Sequence, residues 1–326
     1  MKDVALRAGV TKQTVSNVVN KRPVVSPDTV ARVEKAVAEL GFRSNLLARG
    51  LATGQTMIVG LVVPTLTSAF YAEMVEQIEN ALDGEGYNLV VGTTYGDQDR
   101  TRRKLEGLRQ RSIDGLLLAD DGNVGGQLEI VRETGLPFVL CAWENEIPED
   151  TTVVTFDYEK AGYLAGRQLR QLGHRQVGVV GDLPAHQRRL DGLRRGLGRE
   201  PAAIVASRES SQRGGYNAAA TLLAGAAEVT AIMATHDLLA LGVLEAAKQH
   251  GRRVPDDLSL VSIDDIEASG QAHPPVTTVA FPIERLAQEA TSRLLRAVGT
   301  GRRRSGVTTL PPKLVVRAST ARSARR

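Results

Sequence analysis

The sequence predicts a small all-α helix-turn-helix head followed by a two-lobed α/β core with parallel sheets and helices on both faces. Three observations carry this reading. Residues 2–41 fall into three short helical periods punctuated by glycine and a Ser-Pro-Asp cap. After residue 57, nine short apolar runs alternate with amphipathic stretches. The basic excess is confined to the first segment: residues 1–56 hold nine Lys/Arg and four Asp/Glu, against 41 and 37 in the whole chain, which leaves 32 and 33 for the other 270 residues. A net +5 at the N-terminal end marks where a polyanion would be met.

The 326 residues, 42% of them apolar, can bury a sizeable core and suggest two or three domains. The single cysteine, Cys141, lies in the apolar run LPFVLCAW and is expected in the core of a cytoplasmic protein. Apolar runs such as MIVGLVVP are too short to span a bilayer, and no secretory signal is expected.

The first helix covers about Lys2 to Ala8 and ends at Gly9. Thr11 caps the second, which runs to about Asn20. Within it Lys12, Gln13, Ser16 and Asn17 share one face, and Val15, Val18 and Val19 lie largely on the other. In the third, Ser26 caps, Pro27 takes the first position, and Val30, Val33, Val37 and Leu40 repeat at helical spacing before Gly41. Two helices joined by a glycine turn and backed by a third form the helix-turn-helix layout. A recognition helix needs its apolar side against its own domain and its donors and acceptors facing base edges. Lys12, Gln13 and Asn17 are the candidate base readers, and Thr11, Thr14, Ser16 and Asn20 the candidate phosphate contacts. A solvated polar face is the competing reading of the stripe alone. The segment SNLLARGLATGQT follows, in which Asn45 can cap a helix from Leu46 to Ala52; it is too short to stand alone and is expected to form only on pairing.

DVALRAGVTKQTVSNVVN and VSPDTVARVEKAVAELGFRSNLLARGLATGQT together resemble the DNA-binding head and hinge of the lactose-repressor (LacI) family of bacterial transcription regulators. The resemblance implies hinge helices that pair between two subunits in the minor groove, with Asn45 as cap, Ala48 on the pairing face and Leu51 as the wedge. Asn17 stands where that family commonly has arginine. The chain starts inside the family's first helix, short of its usual capping threonine, so an upstream start is expected.

From Met57 the runs MIVGLVV, YNLVV, IDGLLLA, PFVLC, VVTFD, QVGVVG, AIVAS, TAIMA and LSLVSID read as strands buried on both faces. Between them YAEMVEQIENALDGEG sets Met74, Ile78 and Leu82 on one helix face. Nine strands with a change of phase near TTVVTFDYEKAGYLAGRQL suggest two lobes. The resemblance continues through DGLLLA, AGYLAGRQLRQLGHRQVGVVGD, RRLDGLRRGL, THDLLALGVLEAAKQHGRRVPDDLSLVSIDD and LPPKLVVRAST, covering about residues 2–320. It implies a periplasmic-binding-protein-like core whose chain crosses between lobes three times. The expected organisation is a head at 1–44, a hinge and linker at 45–56, and a two-lobed effector-binding and dimerisation domain at 57–320. Its N-lobe takes about 57–154 and 281–308 and its C-lobe about 155–280 and 309–320. Residues 321–326 form a tail, expected to be disordered.

Ligands in such sheets bind beyond the C-terminal strand ends, between lobes. Carried over residue by residue, the resemblance places Phe70, Tyr71, Trp143, Arg189, Ser210, His236 and Asp264 at an effector site. A core aromatic is the competing reading of Phe70 and, less strongly, of Trp143, and Arg188 is the alternative to Arg189. Asp237 and Asp265 are expected as structural N-caps, and His174 at the negative end of a helix. Ala142, Ser262, His236 and Ser210 depart from the family pattern; Ser210 replaces the aromatic of purine-binding relatives, which favours a sugar or polyol effector over a purine or nucleoside. The chain lacks G-x-S-x-G, a P-loop and paired histidines at zinc spacing, so no enzyme, cofactor or metal is expected. The implied function is a sequence-specific regulator, a repressor, acting as a homodimer on a palindromic operator under effector control; the alternative is a solute-binding protein of a transport system. FYAEMVEQIENAL and VTTVAFPIERLAQEA are the candidate dimer surfaces, and no leucine-heptad extension suggesting a tetramer follows VVRAST.

Overall fold

The computed structural model describes residues 1–19, 23–42, 55–95, 97–110, 113–119, 127–183, 185–226, 228–301 and 305–323. The chain divides into two units, Met1–Met57 and Ile58–Arg326.

In the first unit α1 (Lys2–Ala8) stops at Gly9, whose φ of 65° suits a residue without Cβ. Helices α2 (Lys12–Val19) and α3 (Pro27–Glu39) follow. Val4, Ala5, Ala8, Val15, Val33 and Ala36 form their buried core, with Val18, Val19, Val37 and Phe42 packed against it. Leu40 departs from its periodicity: it sits at the end of α3, is exposed, and Ala36 fills the inner position instead. An Arg7–Glu39 ion pair of 2.7 Å joins α1 to α3 at the surface.

The second unit holds two six-stranded sheets. The first has β1 (Ile58–Val63), β2 (Asn88–Thr93), β3 (Gly115–Ala119), β4 (Phe138–Cys141), β5 (Thr152–Phe156) and β11 (Gly306–Leu310), in the order β11-β5-β4-β3-β1-β2. The second has β6 (Val177–Gly181), β7 (Ala203–Ala206), β8 (Ala231–Ala234), β9 (Ser259–Asp264), β10 (Thr277–Ala280) and β12 (Lys313–Val315), in the order β12-β10-β9-β8-β6-β7. All pairings are parallel except β10–β12. Each sheet reverses its strand order beside its first strand, at β1/β3 and at β6/β8, which opens a crevice at the C-terminal strand ends. The chain passes between the sheets after Phe156, after Ala280 and after Leu310.

The central strands are buried on both faces, as helices cover each sheet. On α4 (Ala69–Asp83), Met74, Ile78 and Leu82 are fully buried. Cys141 is also fully buried, and loss of solvation pushes its thiol pKa up to about 12, so it is a packing residue. Three strands went unread in the sequence. The first, β10, opens with two threonines, and β11 and β12 are short edge strands whose residues alternate or stay half exposed.

Close helix packing sets the second sheet's geometry. After α5 (Gln98–Gln110) and α6 (Gln127–Glu133), helices α7 (Tyr158–Gln171) and α8 (Gln187–Leu197) cross through Gly162 and Gly166 on one side and Gly192 and Gly196 on the other. A Cβ on Gly162 would overlap the carbonyl oxygen of Arg189, and one on Gly192 that of Glu159. Gly215 of α9 (Gln212–Gly225) and Gly242 of α10 (Asp237–Gln249) allow a second such approach.

Candidate functional site

The cleft lies between the C-terminal ends of the two sheets. From the first sheet's side, Thr65 and Ser68 follow β1 and Phe70 and Tyr71 open α4. From the second come His186 and Arg189 around the start of α8, His236 after β8, and Asp264 at the end of β9. Ser210 also lines the cleft, and its hydroxyl donates to the Asp182 carboxylate. The cavity that these residues line, open on one side, is about 50 Å³.

Arg189 organises the cleft. Its Nε donates to Glu144 Oε2 at 2.9 Å, its Nη1 donates to the Thr235 carbonyl at 2.6 Å, and Asp264 Oδ1 stands 3.5 Å from Nη1. The guanidinium also lies over the Tyr158 ring at 5.0 Å and the Phe281 ring at 5.8 Å. Burial works against this cation, but the Glu144 and Asp264 carboxylates outweigh it and raise its pKa, so Arg189 stays charged.

The two histidines behave in the opposite way. Their rings meet edge to face at 5.6 Å, and His186 Nδ1 shares a 2.9 Å hydrogen bond with the Thr235 hydroxyl. Burial, reinforced by the Arg189 charge, pushes His236 down to about 3 and His186 well below the ordinary histidine range. Both are neutral near pH 7. His236 Nε2 is buried with no hydrogen-bond partner among the described residues, a polar atom left for a ligand to satisfy. Asp264 adopts φ 118° and Asp265 φ 68°, a strained pair that holds the Asp264 carboxylate in the cleft.

Phe70 belongs to an aromatic cluster with Tyr71, Phe156 and Phe281, at ring separations of 5.2, 6.2 and 6.4 Å, while one side borders the cavity. Trp143 corrects the sequence expectation. It is fully buried in the other core layer of the first sheet, with Leu140 and Val153, and its Nε1 donates to the Glu146 carbonyl at 3.1 Å. It does not line the cavity, because the chain after β4 turns its indole away and presents the next residue, Glu144, to Arg189. Glu144, His186 and Tyr158 were missed: Glu144 lies in the polar loop after β4, His186 just before α8 and Tyr158 at the start of α7, and no local spacing marks any of them.

Asp237 and Asp265 are structural, but not as N-caps. Asp237 lies one residue inside α10, where its carboxylate accepts from the Ser262 hydroxyl, the Ile266 N–H at 2.8 Å and the Thr278 hydroxyl at 2.9 Å. Asp265 accepts from Arg317 at 2.5 Å. His174 stands at the C-terminal end of α7 as expected, where its main-chain N–H donates to the Leu169 carbonyl at 3.0 Å. Its ring bridges the Thr230 hydroxyl at 2.9 Å and the Ala321 carbonyl at 3.0 Å, fastening the chain end to the second sheet.

In the first unit, Thr11 Oγ1 accepts from the Thr14 N–H at 3.1 Å, the expected cap of α2. Lys12 and Gln13 are exposed beside it, and Gln13 Nε2 donates to Asn17 Oδ1 at 3.2 Å. This bond holds the amides of Gln13 and Asn17 in fixed relative orientation on one face, with Gln13 Oε1 and one N–H still available. Thr14 and Ser16 are partly exposed alongside. Asn20, Asn45, Ala48 and Leu51 lie outside the described residues. Among the described residues no group of acidic, His or Cys side chains is placed to hold a metal ion, and no helix is long and apolar enough to cross a membrane.

A three-helix basic unit joined to a two-sheet unit with a charged interlobe cleft defines a class: a DNA-binding regulator carrying its own small-molecule receptor. Comparison with known proteins bears this out. Residues 1–45 match the bacterial regulatory proteins of the lacI family, and residues 166–320 match the periplasmic binding protein-like domain. The chain is 34% identical to the HTH-type transcriptional repressor PurR of Pectobacterium atrosepticum, over 98% of this chain and 96% of that protein. It is similar in structure to the lac repressor dimer bound to operator and the anti-inducer ONPF, with a TM-score of 0.86, 28% identity and 98% of each chain covered. It is similar also to the regulator CelR in complex with cellobiose, with a TM-score of 0.76, 29% identity and 98% of each chain covered. The chain belongs to the LacI family: it is a DNA-binding transcription regulator controlled by a small-molecule effector, not an enzyme.

Proposed function

We infer that the protein is a cytoplasmic homodimeric repressor of a palindromic operator, and that its effector is a sugar or related polyol bound between the two sheets. The observation that carries this is the convergence of Phe70, Arg189, His236 and Asp264 on one cavity: an apolar ring face beside a fixed donor, a neutral imidazole and an acceptor. Such a set suits a molecule with C–H faces and many hydroxyls. The cellobiose held by a relative is in keeping with it. A nucleoside is the second choice, since Ser210 offers a base no ring to stack on.

Ligand sites usually enclose about 300–1,000 Å³, well above the cavity of about 50 Å³ seen here. A sugar therefore enters as the lobes separate and binds the open and closed arrangements unequally, which is what shifting an equilibrium requires. In this reading Lys12, Gln13 and Asn17 read base edges, Thr11, Thr14, Ser16 and Asn20 hold phosphates, and Asn45, Ala48 and Leu51 form the paired hinge. Helix α4 and the run from Val276 to Ala290 are the proposed dimer surfaces.

The test is a binding-and-sequencing selection from random duplex DNA with the purified protein at fixed salt, with and without a panel of sugars and nucleosides. A palindromic site whose enrichment changes with a sugar supports the proposal. Enrichment that responds only to nucleosides contradicts the effector class, and no enriched site contradicts the DNA reading.

A further inference from the structure

We propose that Glu144 is the residue that sets effector class, by occupying the carboxylate seat of Arg189 and so restricting the cleft to uncharged polyhydroxyl compounds. The inference rests on the cleft being the effector site and specifies which ligands that site refuses.

A buried arginine in a ligand cleft is ordinarily an acid receptor, because its planar fork binds a carboxylate through two parallel N–H donors. Here both usable forks are compromised by the protein itself. The Nε prong is bonded to Glu144 Oε2 at 2.9 Å, and Nη1 is bonded to the Thr235 carbonyl and faces Asp264. Among the described residues only Nη2 makes no hydrogen bond, so an incoming carboxylate would find a single prong.

Charge leads to the same conclusion. The side chains of Glu144 and Arg189 are only 1% and 5% exposed. Two carboxylates, Glu144 and Asp264, face one guanidinium, and the neighbouring imidazoles of His186 and His236 carry no charge near pH 7. The cleft therefore already holds one negative charge in excess, and a second anion would be desolvated beside like charges. A hydroxyl meets no such penalty, since it accepts from Nη2 while donating to Asp264. Glu144 follows β4 of the first sheet whereas Arg189 sits on α8 of the second, so the seat is filled from across the cleft.

The experiment is calorimetric titration of the full-length protein with four matched pairs: glucose and glucuronate, galactose and galacturonate, ribose and ribonate, glucitol and gluconate. Wild type is expected to bind no acid more tightly than one-tenth of its neutral partner's affinity. Glu144→Gln, which keeps an acceptor for Arg189 and removes the charge, is expected to bind at least one acid tenfold or more tighter than wild type; Glu144→Ser serves as the second variant, and thermal melting confirms folding of both. Wild type binding an acid as tightly as its neutral partner overturns the proposal. So does failure of both variants to gain affinity for any acid, even where a neutral sugar binds and the sugar reading stands. Acid binding gained by Glu144→Gln with no neutral compound bound by wild type supports the role of Glu144 and contradicts the sugar reading.

Discussion

Gly162 lies against the main chain of Arg189 so closely that a Cβ at Gly162 would occupy the space of the Arg189 carbonyl oxygen. The position of the cleft arginine is thus set by backbone contact between α7 and α8 rather than by side-chain packing. Gly162→Ala should force the helices apart, destabilise the second unit by about 1–3 kcal/mol as overpacking does, and weaken effector binding with it. Chemical denaturation and ligand titration of the variant check this. Unchanged values for both would mean the helices part freely.

The buried histidines give stability a pH dependence of known sign. His236 titrates near 6.5 when unfolded and near 3 when folded, so its contribution is complete above pH 6.5 and is lost as pH falls from there toward 3. Asp237, raised by burial to about 6, acts oppositely, its contribution being present below 3.8 and lost as pH rises through 6. Comparison with His236→Asn isolates the histidine. Between pH 6 and 4 wild type should lose stability relative to the variant by about 1.4 kcal/mol per pH unit, read from urea unfolding at each pH. Parallel curves would show that His236 is protonated in the native protein.

Gln13 is bonded to Asn17 on the exposed face of α2 and is proposed to read a base edge with its remaining amide groups. Gln13→Ala should relax operator choice by about 1–3 kcal/mol at one base position, with other positions unaffected. Relative affinities across a set of operator variants measure this, and identical rankings for the two proteins would remove Gln13 from the readers.

Leu51→Ala should abolish specific operator binding while the second unit keeps its effector affinity. Gel-shift and calorimetric titrations of the same preparation separate the two, and normal operator binding would refute the minor-groove role of Leu51.

How much of this was legible depended on whether a residue's role repeats along the chain. The nine expected strands all exist because each is a continuous apolar run, seven of them buried almost throughout and β2 and β7 partly exposed at sheet edges, whereas Gly306–Leu310 and Lys313–Val315 are edge strands whose sequences carry little pattern. Arg189, His236 and Asp264 were found through the family resemblance, which fixes positions by motif. Glu144 is not part of any such motif, and only the fold brings it to Arg189 across 45 residues of chain. Trp143 was misplaced because a lone tryptophan after a strand reads the same whether it turns to the cleft or the core. The spacing of Gly162 with Gly166 and Gly192 with Gly196 was visible, yet its meaning, two helices touching along their backbones, needed the pairing to be seen.

In the proposed function, operator and cleft communicate. Effector affinity should be measured calorimetrically with and without saturating operator, and operator affinity with and without saturating effector, at one salt concentration. Equal fold-changes are expected in the two directions, since a coupling free energy is reciprocal, on the order of 5–150-fold. Effector binding that is identical with and without operator would contradict it.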